Sequence, residues 1–238
     1  MTPEVTETVE TAETVAPKQE QVILPFEYGE DEHYYVEDLG KIRPKPIYAF
    51  IKRLFDIVCA LLGIVITLIP MIIIAICIKC TSKGKVFFTQ ERLGKNGKKF
   101  HLIKFRTMID GAEKGGAQWS QGDNDTRIYP FGAKLRKTRL DELPQLFLIL
   151  SGHLSLVGPR PERECFYDAF EKHVHGFSER LKVKQGLTGL AQVSGGYDLR
   201  PEEKVLYDVE YIKKRSLWMD IKILCKTVLV VFNHKGAK

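Results

Sequence analysis

IVCALLGIVITLIPMIIIAICI, residues 57–78, runs for 22 residues without a charged side chain, and Thr67 is its one clearly polar member. As a straight helix this is roughly 33 Å, enough to cross a bilayer core of about 30 Å. Two features oppose simple crossing. Pro70 lies inside the run, where it removes a backbone donor and crowds the carbonyl of Ile66, so a bend is expected there. Positive charge also flanks both ends: Arg43, Lys45, Lys52 and Arg53 before it, Lys79, Lys83 and Lys85 after it. Positive charge stays on the cytoplasmic side, and here both ends demand that side. A helix that enters, breaks at Pro70 and returns satisfies both demands; a bitopic span and a buried core helix are the alternatives.

Outward from this segment the charge is uneven. Residues 1–46 carry eleven acidic and four basic side chains, a net −7 in a chain of 238 residues whose total is +6, which leaves +13 on residues 47–238. The stretch also holds five of the eleven prolines and a TETVETAETV run without helical or strand periodicity. Such a segment buries too little apolar surface to offset ordering entropy, and it reads as a disordered acidic tail. PFEYGEDEHYYVEDL (25–39), with aromatics among acids, is its one candidate docking stretch. Five cysteines are too sparse for a disulfide-built secreted scaffold. One apolar segment excludes a polytopic transporter.

Beyond residue 83 the pattern is mixed. KVFFTQ (85–90) and KFHLIKF (99–105) are β-prone, and Asn96-Gly97 between them is a hairpin signal. Residues 110–127 read as a loop, and 131–137, 142–150, 162–174, 201–215 and 216–232 as helices. The last of these either faces a core or lies in the membrane interface with Trp218 at headgroup depth. The expected class is α+β: a tail over 1–46, a re-entrant membrane segment over 47–82, and a catalytic domain with interfacial helices over 83–238.

The chemistry concentrates in TRLDELPQL (138–146), where Asp141 and Glu142 are adjacent. Asp141 fits a helix N-cap, with Pro144 harmless in the first turn. Yet Lys134, Arg136, Lys137 and Arg139 closely precede the pair, and Arg127 lies a little earlier. Two carboxylates amid such cations suit phosphate chemistry, in which cations hold phosphoryl oxygens while one carboxylate attacks or binds a divalent metal. Arg106 ends a β-run at KFRTM. Arg160 stands between Pro159 and Pro161, which restrict its direction; it serves either a phosphate or a neighbouring acid. GLTGLAQVSGG (186–196) offers a glycine-lined pocket wall with Thr188 and Gln192, and Gln145 and Pro159 complete the candidate pocket. No Walker A or dinucleotide fingerprint is present. Aromatic residues are not interleaved with the basic ones, which disfavours a nucleic-acid partner.

KRLFDIVCA (52–60) with the apolar run, FFTQERLGKNGKKFHLIKFRTM, LRKTRLDELPQLFLILSGHLSLVGPRPE and GLTGLAQVSGG together closely resemble the bacterial sugar transferases, the small monotopic phosphoglycosyl transferases. The resemblance covers roughly residues 47–232. It implies transfer of sugar-1-phosphate from a UDP-sugar, of the glucose or galactose type, to a polyprenyl phosphate such as undecaprenyl phosphate, with release of UMP. It implies Mg²⁺ held at Asp141 and Glu142, and a covalent intermediate on Asp141. Glu142 would assist metal binding or deprotonation, and Arg106, Arg127, Lys134, Arg136 and Arg160 would hold phosphates. The setting implied is the cytosolic face of a bacterial inner membrane, as the first membrane step of capsule, exopolysaccharide or glycoconjugate assembly. Membrane lipid and downstream glycosyltransferases would be partners; homo-oligomerisation is left open. Family members often carry Ser before the membrane Pro, where this chain has Ile69; Thr67 is then expected to satisfy carbonyls freed at the break. A catalytically silent membrane-surface adaptor is the competing hypothesis.

Overall fold

The computed structural model describes residues 22–112, 116–119, 125–196 and 199–233. In chain order its elements begin with β1 (Val22–Ile23), β2 (Tyr34–Tyr35), α1 (Pro46–Thr81), β3 (Phe87–Leu93), β4 (Lys99–Phe105) and β5 (Ala117–Gln118). There follow α2 (Pro130–Lys137), α3 (Gln145–Ser151), β6 (Ser155–Val157), α4 (Glu164–Glu171), β7 (Val174–His175) and β8 (Gly186–Thr188). The chain ends with α5 (Leu190–Ser194), α6 (Pro201–Lys214) and α7 (Leu217–Asn233). The mixed α and β class holds. The strands form separate two-stranded ladders: β3–β4 is antiparallel, and β1–β5, β2–β7 and β6–β8 are parallel.

The β3–β4 hairpin turns where the Asn-Gly pair predicts, with Asn96 and Gly97 at φ of 58° and 73°. Beside the β6–β8 ladder, a Cβ on Gly186 would lie 2.1 Å from the Gly158 nitrogen, so the two backbones approach only because both residues are glycine.

α1 is helical for 36 residues, and Pro70 lies inside it without interrupting the helix. The break expected at Pro70 is therefore absent from the secondary structure. Thr67 does not rescue the carbonyl of Ile66 either: its hydroxyl donates to the Gly63 carbonyl at 2.6 Å. One stripe holds the helix to the globular body. Asp56, Ala60, Met71, Ile74 and Ile78 are buried, and their spacings of 4, 11, 3 and 4 keep them on one face. Ala60 packs with Leu146, Ile149 and Leu154, while Met71, Ile74 and Ile78 pack with Phe105 and Leu135. Polar ties fix both ends. Arg53 donates to the Ile149 and Leu150 carbonyls at the end of α3 (2.6 and 2.7 Å), satisfying acceptors that a helix terminus leaves open. Asp56 accepts from Ser155 Oγ and the Leu156 amide, and Lys52 pairs with Asp220 of α7 at 3.0 Å. At the far end Arg106 donates to Ser82.

Elsewhere α1 is bare. Fifteen large apolar side chains along it are exposed, Val65 and Ile66 by 75% and 74%. Only 17% of its most apolar window is buried, which removes the core-helix alternative. Each such side chain gains roughly 1.5–3 kcal/mol on leaving water, so this face calls for lipid. α7 continues the surface: Asp220 and Ile223 face inward, while Trp218, Ile221, Val228 and Leu229 face out. The two sequence alternatives for this helix are thus its two faces.

The acidic segment departs from expectation. From Val22 onward it is a docked strap, with Phe26, Tyr28, Val36 and Leu39 packed on a core around Phe166, Phe170 and Phe177. Tyr28 donates to Glu202 at 3.0 Å, and the Arg200 guanidinium lies about 5 Å from the Phe26 and Tyr28 rings. The aromatics of 25–39 supply burial here; residues 1–21 of the expected tail lie outside the described residues. The partner of the docking stretch is the chain's own domain. His173 and His175 lie past the end of α4 and stack with His33 of the strap.

Candidate active site

After α2 ends at Lys137, Arg139 takes the left-handed conformation (φ 57°, ψ 15°) and turns the chain into a 3₁₀ turn, Leu140–Glu142. Pro144 then precedes α3. The N-cap role expected of Asp141 is not seen: Arg139 and Pro144 occupy the cap positions, and no side-chain cap bond forms at either. The pair is nonetheless sequestered, Asp141 6% and Glu142 9% exposed. Arg160 donates to Glu142 Oε1 at 2.6 Å. The acid that satisfies the proline-framed arginine is therefore the candidate site's own glutamate.

Burial, then the neighbouring Glu142 charge, pushes the Asp141 carboxyl up to about 6, against the pull of Lys104, Arg136 and Arg160. Burial works upward on Glu142 too, but Arg160 and Arg139 outweigh it and hold its pKa below the usual value. Two adjacent carboxylates thus have opposite tendencies, set by which one the guanidinium touches. Burial also brings Lys104 down to about 8, although Asp141 opposes the shift.

The cations that act on Asp141 line a cavity of about 470 Å³, within the roughly 300–1,000 Å³ usual for small-molecule sites. Lys104, Arg136, Arg139 and Arg160 border it, with Arg92, Arg180 and Lys204 further round. Arg92 pairs with Glu162 at 2.8 Å and Arg180 with Asp208 at 2.7 Å, which fixes these guanidinium groups in place. Such a cavity is built for a polyanion.

The sequence-derived candidates divide. Arg136, Arg160 and Gln192 line the cavity. Arg106 and Arg127 also border it but are heavily engaged. Arg106 donates to Lys85 O, Ser82 O and Ser82 Oγ and so fastens the end of α1, while Arg127 forks onto Asp125. Lys134 is exposed on α2, away from the lining. Gln145 and Pro159 are buried outside the lining, and the Gln145 amide nitrogen finds no hydrogen-bond partner among the described residues. Thr188 borders a second, smaller cavity together with Glu142.

Sequence reasoning missed Lys104, Arg92, Arg180, Lys204 and Trp119. Strand alternation was the available signal for two of them. Phe88, Gln90 and Arg92 share one face of β3, Lys104 is paired with Phe88 across the hairpin, and all four line the cavity. Arg180 and Lys204 come from distant segments and have no local signature.

No group of three or more His, Cys, Asp or Glu among the described residues forms a metal cage. Asp141 and Glu142 do provide two adjacent oxygen donors. That set fits Mg²⁺ in its common mode, in which one or two carboxylates share the ion with substrate phosphates.

Residues 47–234 match the family described as bacterial sugar transferase. The chain is 41% identical over 210 residues to a protein of Aeromonas hydrophila named UDP-N-acetylgalactosamine-undecaprenyl-phosphate N-acetylgalactosaminephosphotransferase, covering 87% of this chain and 49% of that one. It is 39% identical over 191 residues to a UDP-glucose:undecaprenyl-phosphate glucose-1-phosphate transferase of Xanthomonas campestris pv. campestris, covering 78% and 40%. To a putative undecaprenyl-phosphate N-acetylgalactosaminyl 1-phosphate transferase of Bacillus subtilis it is 47% identical over 134 residues, covering 56% and 74%. The chain spans about half the length, or somewhat less, of the first two relatives. The chain belongs to the bacterial sugar transferase family.

Proposed function

We propose that this chain transfers sugar-1-phosphate from a UDP-sugar to a polyprenyl phosphate such as undecaprenyl phosphate and releases UMP. The observation that carries the reading is a buried carboxylate pair beside a cation-lined cavity, on a body whose longest helix presents a lipid-seeking face. The names of the relatives support the substrate classes. In the mechanism, an Asp141 carboxylate oxygen attacks the sugar-bearing phosphorus. The bond from that phosphorus to the bridging oxygen breaks, and UMP departs with that oxygen. A phosphate oxygen of the lipid then attacks the same phosphorus, Asp141 leaves, and a polyprenyl diphosphate sugar results. Lys104, Arg136 and Arg160 hold phosphoryl oxygens, so carboxylate and diphosphate can approach despite like charge. Asp141 and Glu142 would hold Mg²⁺, which supplies further charge neutralisation when bound. Glu142, kept ionised by Arg160, suits charge positioning better than proton removal, because a depressed pKa makes a weak base.

Incubating the detergent-solubilised protein with UDP-sugars, undecaprenyl phosphate and Mg²⁺ tests the proposal through UMP. The donor panel should include glucose, galactose and N-acetylgalactosamine. Acceptor-dependent UMP with at least one donor is expected, whereas none with any would favour the adaptor. The product suits elongation by downstream glycosyltransferases.

The pH profile of kcat/KM for the donor should be bell-shaped. Activity rises as Asp141 loses its proton near pH 6 and falls above about 8 as Lys104 loses its own. Lys104→Arg should carry the alkaline limb upward, since a guanidinium keeps its proton. An alkaline limb unmoved by that change would remove Lys104 from the phosphate site.

We also propose that α1 enters the membrane without crossing it, which would place the domain at the cytosolic face of a bacterial inner membrane. Both ends of the helix tie to one body, at Arg53 and Asp56 and again at Ser82. A crossing would carry one end away from that body. Single cysteines at residues 45 and 84, in a cysteine-free background in sealed vesicles, should therefore label from the same side. Labelling from opposite sides would mean a span.

A further inference from the structure

A second cavity, of about 190 Å³, lies against Glu142 on the side of α3, α5 and α7. Its character is the opposite of the first. Leu146, Leu156, Leu187, Val193, Leu224 and Val230 make most of its wall, and Arg139 and Glu142 are its only charged lining residues among those described. Arg139 and Gln192 line both cavities, so the two spaces meet at the turn that carries the carboxylates. α7, which supplies Leu224 and Val230 to the wall, exposes Ile221, Val228 and Leu229 on its other face. An apolar chain lying along this wall therefore ends at the Arg139 guanidinium and at Glu142, the neighbour of Asp141 in the chain. The small volume suits a chain segment passing through rather than a whole ligand.

We propose that this cavity receives the phosphate-proximal isoprene units of the acceptor lipid, with Arg139 meeting its phosphate, while the nucleotide sugar occupies the cationic cavity. The proposal rests on the function argued above. It explains how one carboxylate serves two substrates: donor and acceptor approach the Asp141–Glu142 turn from different spaces, one polar and one oily. An apolar wall that ends at the Arg139 guanidinium selects the occupant, because it matches an amphiphile with an anionic head and an apolar chain.

The test separates the two substrates. In nanodisc-embedded protein, Val230→Trp and Val193→Trp should raise KM for polyprenyl phosphate by roughly tenfold or more, and leave UMP release from the donor in the absence of acceptor little changed. Val228→Trp, on the exposed face of the same helix, should alter neither. An acceptor KM unmoved by filling the cavity, in a protein whose wild type is active, overturns the assignment; a wild type without acceptor-dependent UMP overturns the function instead. A polyprenyl phosphate carrying a diazirine on its first isoprene gives a second reading that needs no variant. Crosslinks should fall within residues 139–146, at Leu156, or within 187–193 or 224–231, and be removed by excess unlabelled polyprenyl phosphate but not by phosphatidylglycerol. Crosslinks elsewhere, or equal competition by phosphatidylglycerol, also refute the proposal.

Discussion

Asp141→Asn should lower UMP release by at least about a thousandfold, leave membrane association intact and make the protein more stable. The activity loss follows from removing the attacking oxygen without altering side-chain shape. The gain in stability follows from the direction of the pKa shift. Folding raises the Asp141 pKa from 3.8 to about 6, so the folded state holds a proton that the unfolded state releases between those values. Stability then falls as pH rises through that window, and at pH 7 the ionised side chain carries the whole cost, on the order of 1–3 kcal/mol. Asparagine cannot ionise and is free of it. The thermal midpoint of the variant should rise by several degrees at pH 7 and converge on that of wild type near pH 4. An inactive variant that is also less stable at pH 7 would mean that the carboxylate holds the fold together.

The largest stability loss is expected at Arg180→Met. Arg180 is 1% exposed; its Nε bonds Asp208 at 2.7 Å, its Nη2 reaches the Arg160 carbonyl at 3.1 Å, and its guanidinium lies 4.6 Å from the Phe177 ring centre. Removing it strands the Asp208 charge, itself 1% exposed, at a cost of about 3–5 kcal/mol. The change also releases the backbone of Arg160, the residue that keeps Glu142 ionised, so activity should fall in whatever folded fraction remains. The double change Arg180→Met with Asp208→Leu should recover much of the stability but not the activity, because a buried pair replaced as a unit leaves no lone charge. Failure of the double variant to gain anything over the single one would show that ring stacking and packing dominate.

What the sequence disclosed was local. The apolar run, the Asn-Gly hairpin, the helix starting at Pro201 and the Asp-Glu pair among cations all rest on neighbours within one or two turns, and the structure keeps each of them. The misses share the opposite property. Composition marks residues 22–45 as tail, yet six aromatic or aliphatic side chains there find a core made by α4 and the segment after β7. Arg106, at the end of a β-run, and Arg160, between two prolines, both read from sequence as candidate phosphate holders. Only the fold sends the first to the backbone at the end of α1 and the second to Glu142. Pro70 would bend an isolated helix, but packing of Met71, Ile74 and Ile78 against Phe105 and Leu135 keeps residues beyond it helical. Lys104 was passed over as one strand residue among many, and its importance comes from the cavity that the hairpin shares with α2.

In the proposed mechanism the Asp141 carboxylate, buried and flanked by Lys104, Arg136 and Arg160, becomes bonded to phosphorus during turnover. Wild-type protein mixed with UDP-sugar and Mg²⁺ without acceptor, quenched in acid, digested and measured by mass spectrometry tests this directly. The peptide containing Asp141 should gain the mass of one sugar phosphate, in step with the UMP released, and return to its original mass when polyprenyl phosphate is added. Robust UMP formation with that peptide unmodified, or with the adduct on another residue, would contradict it.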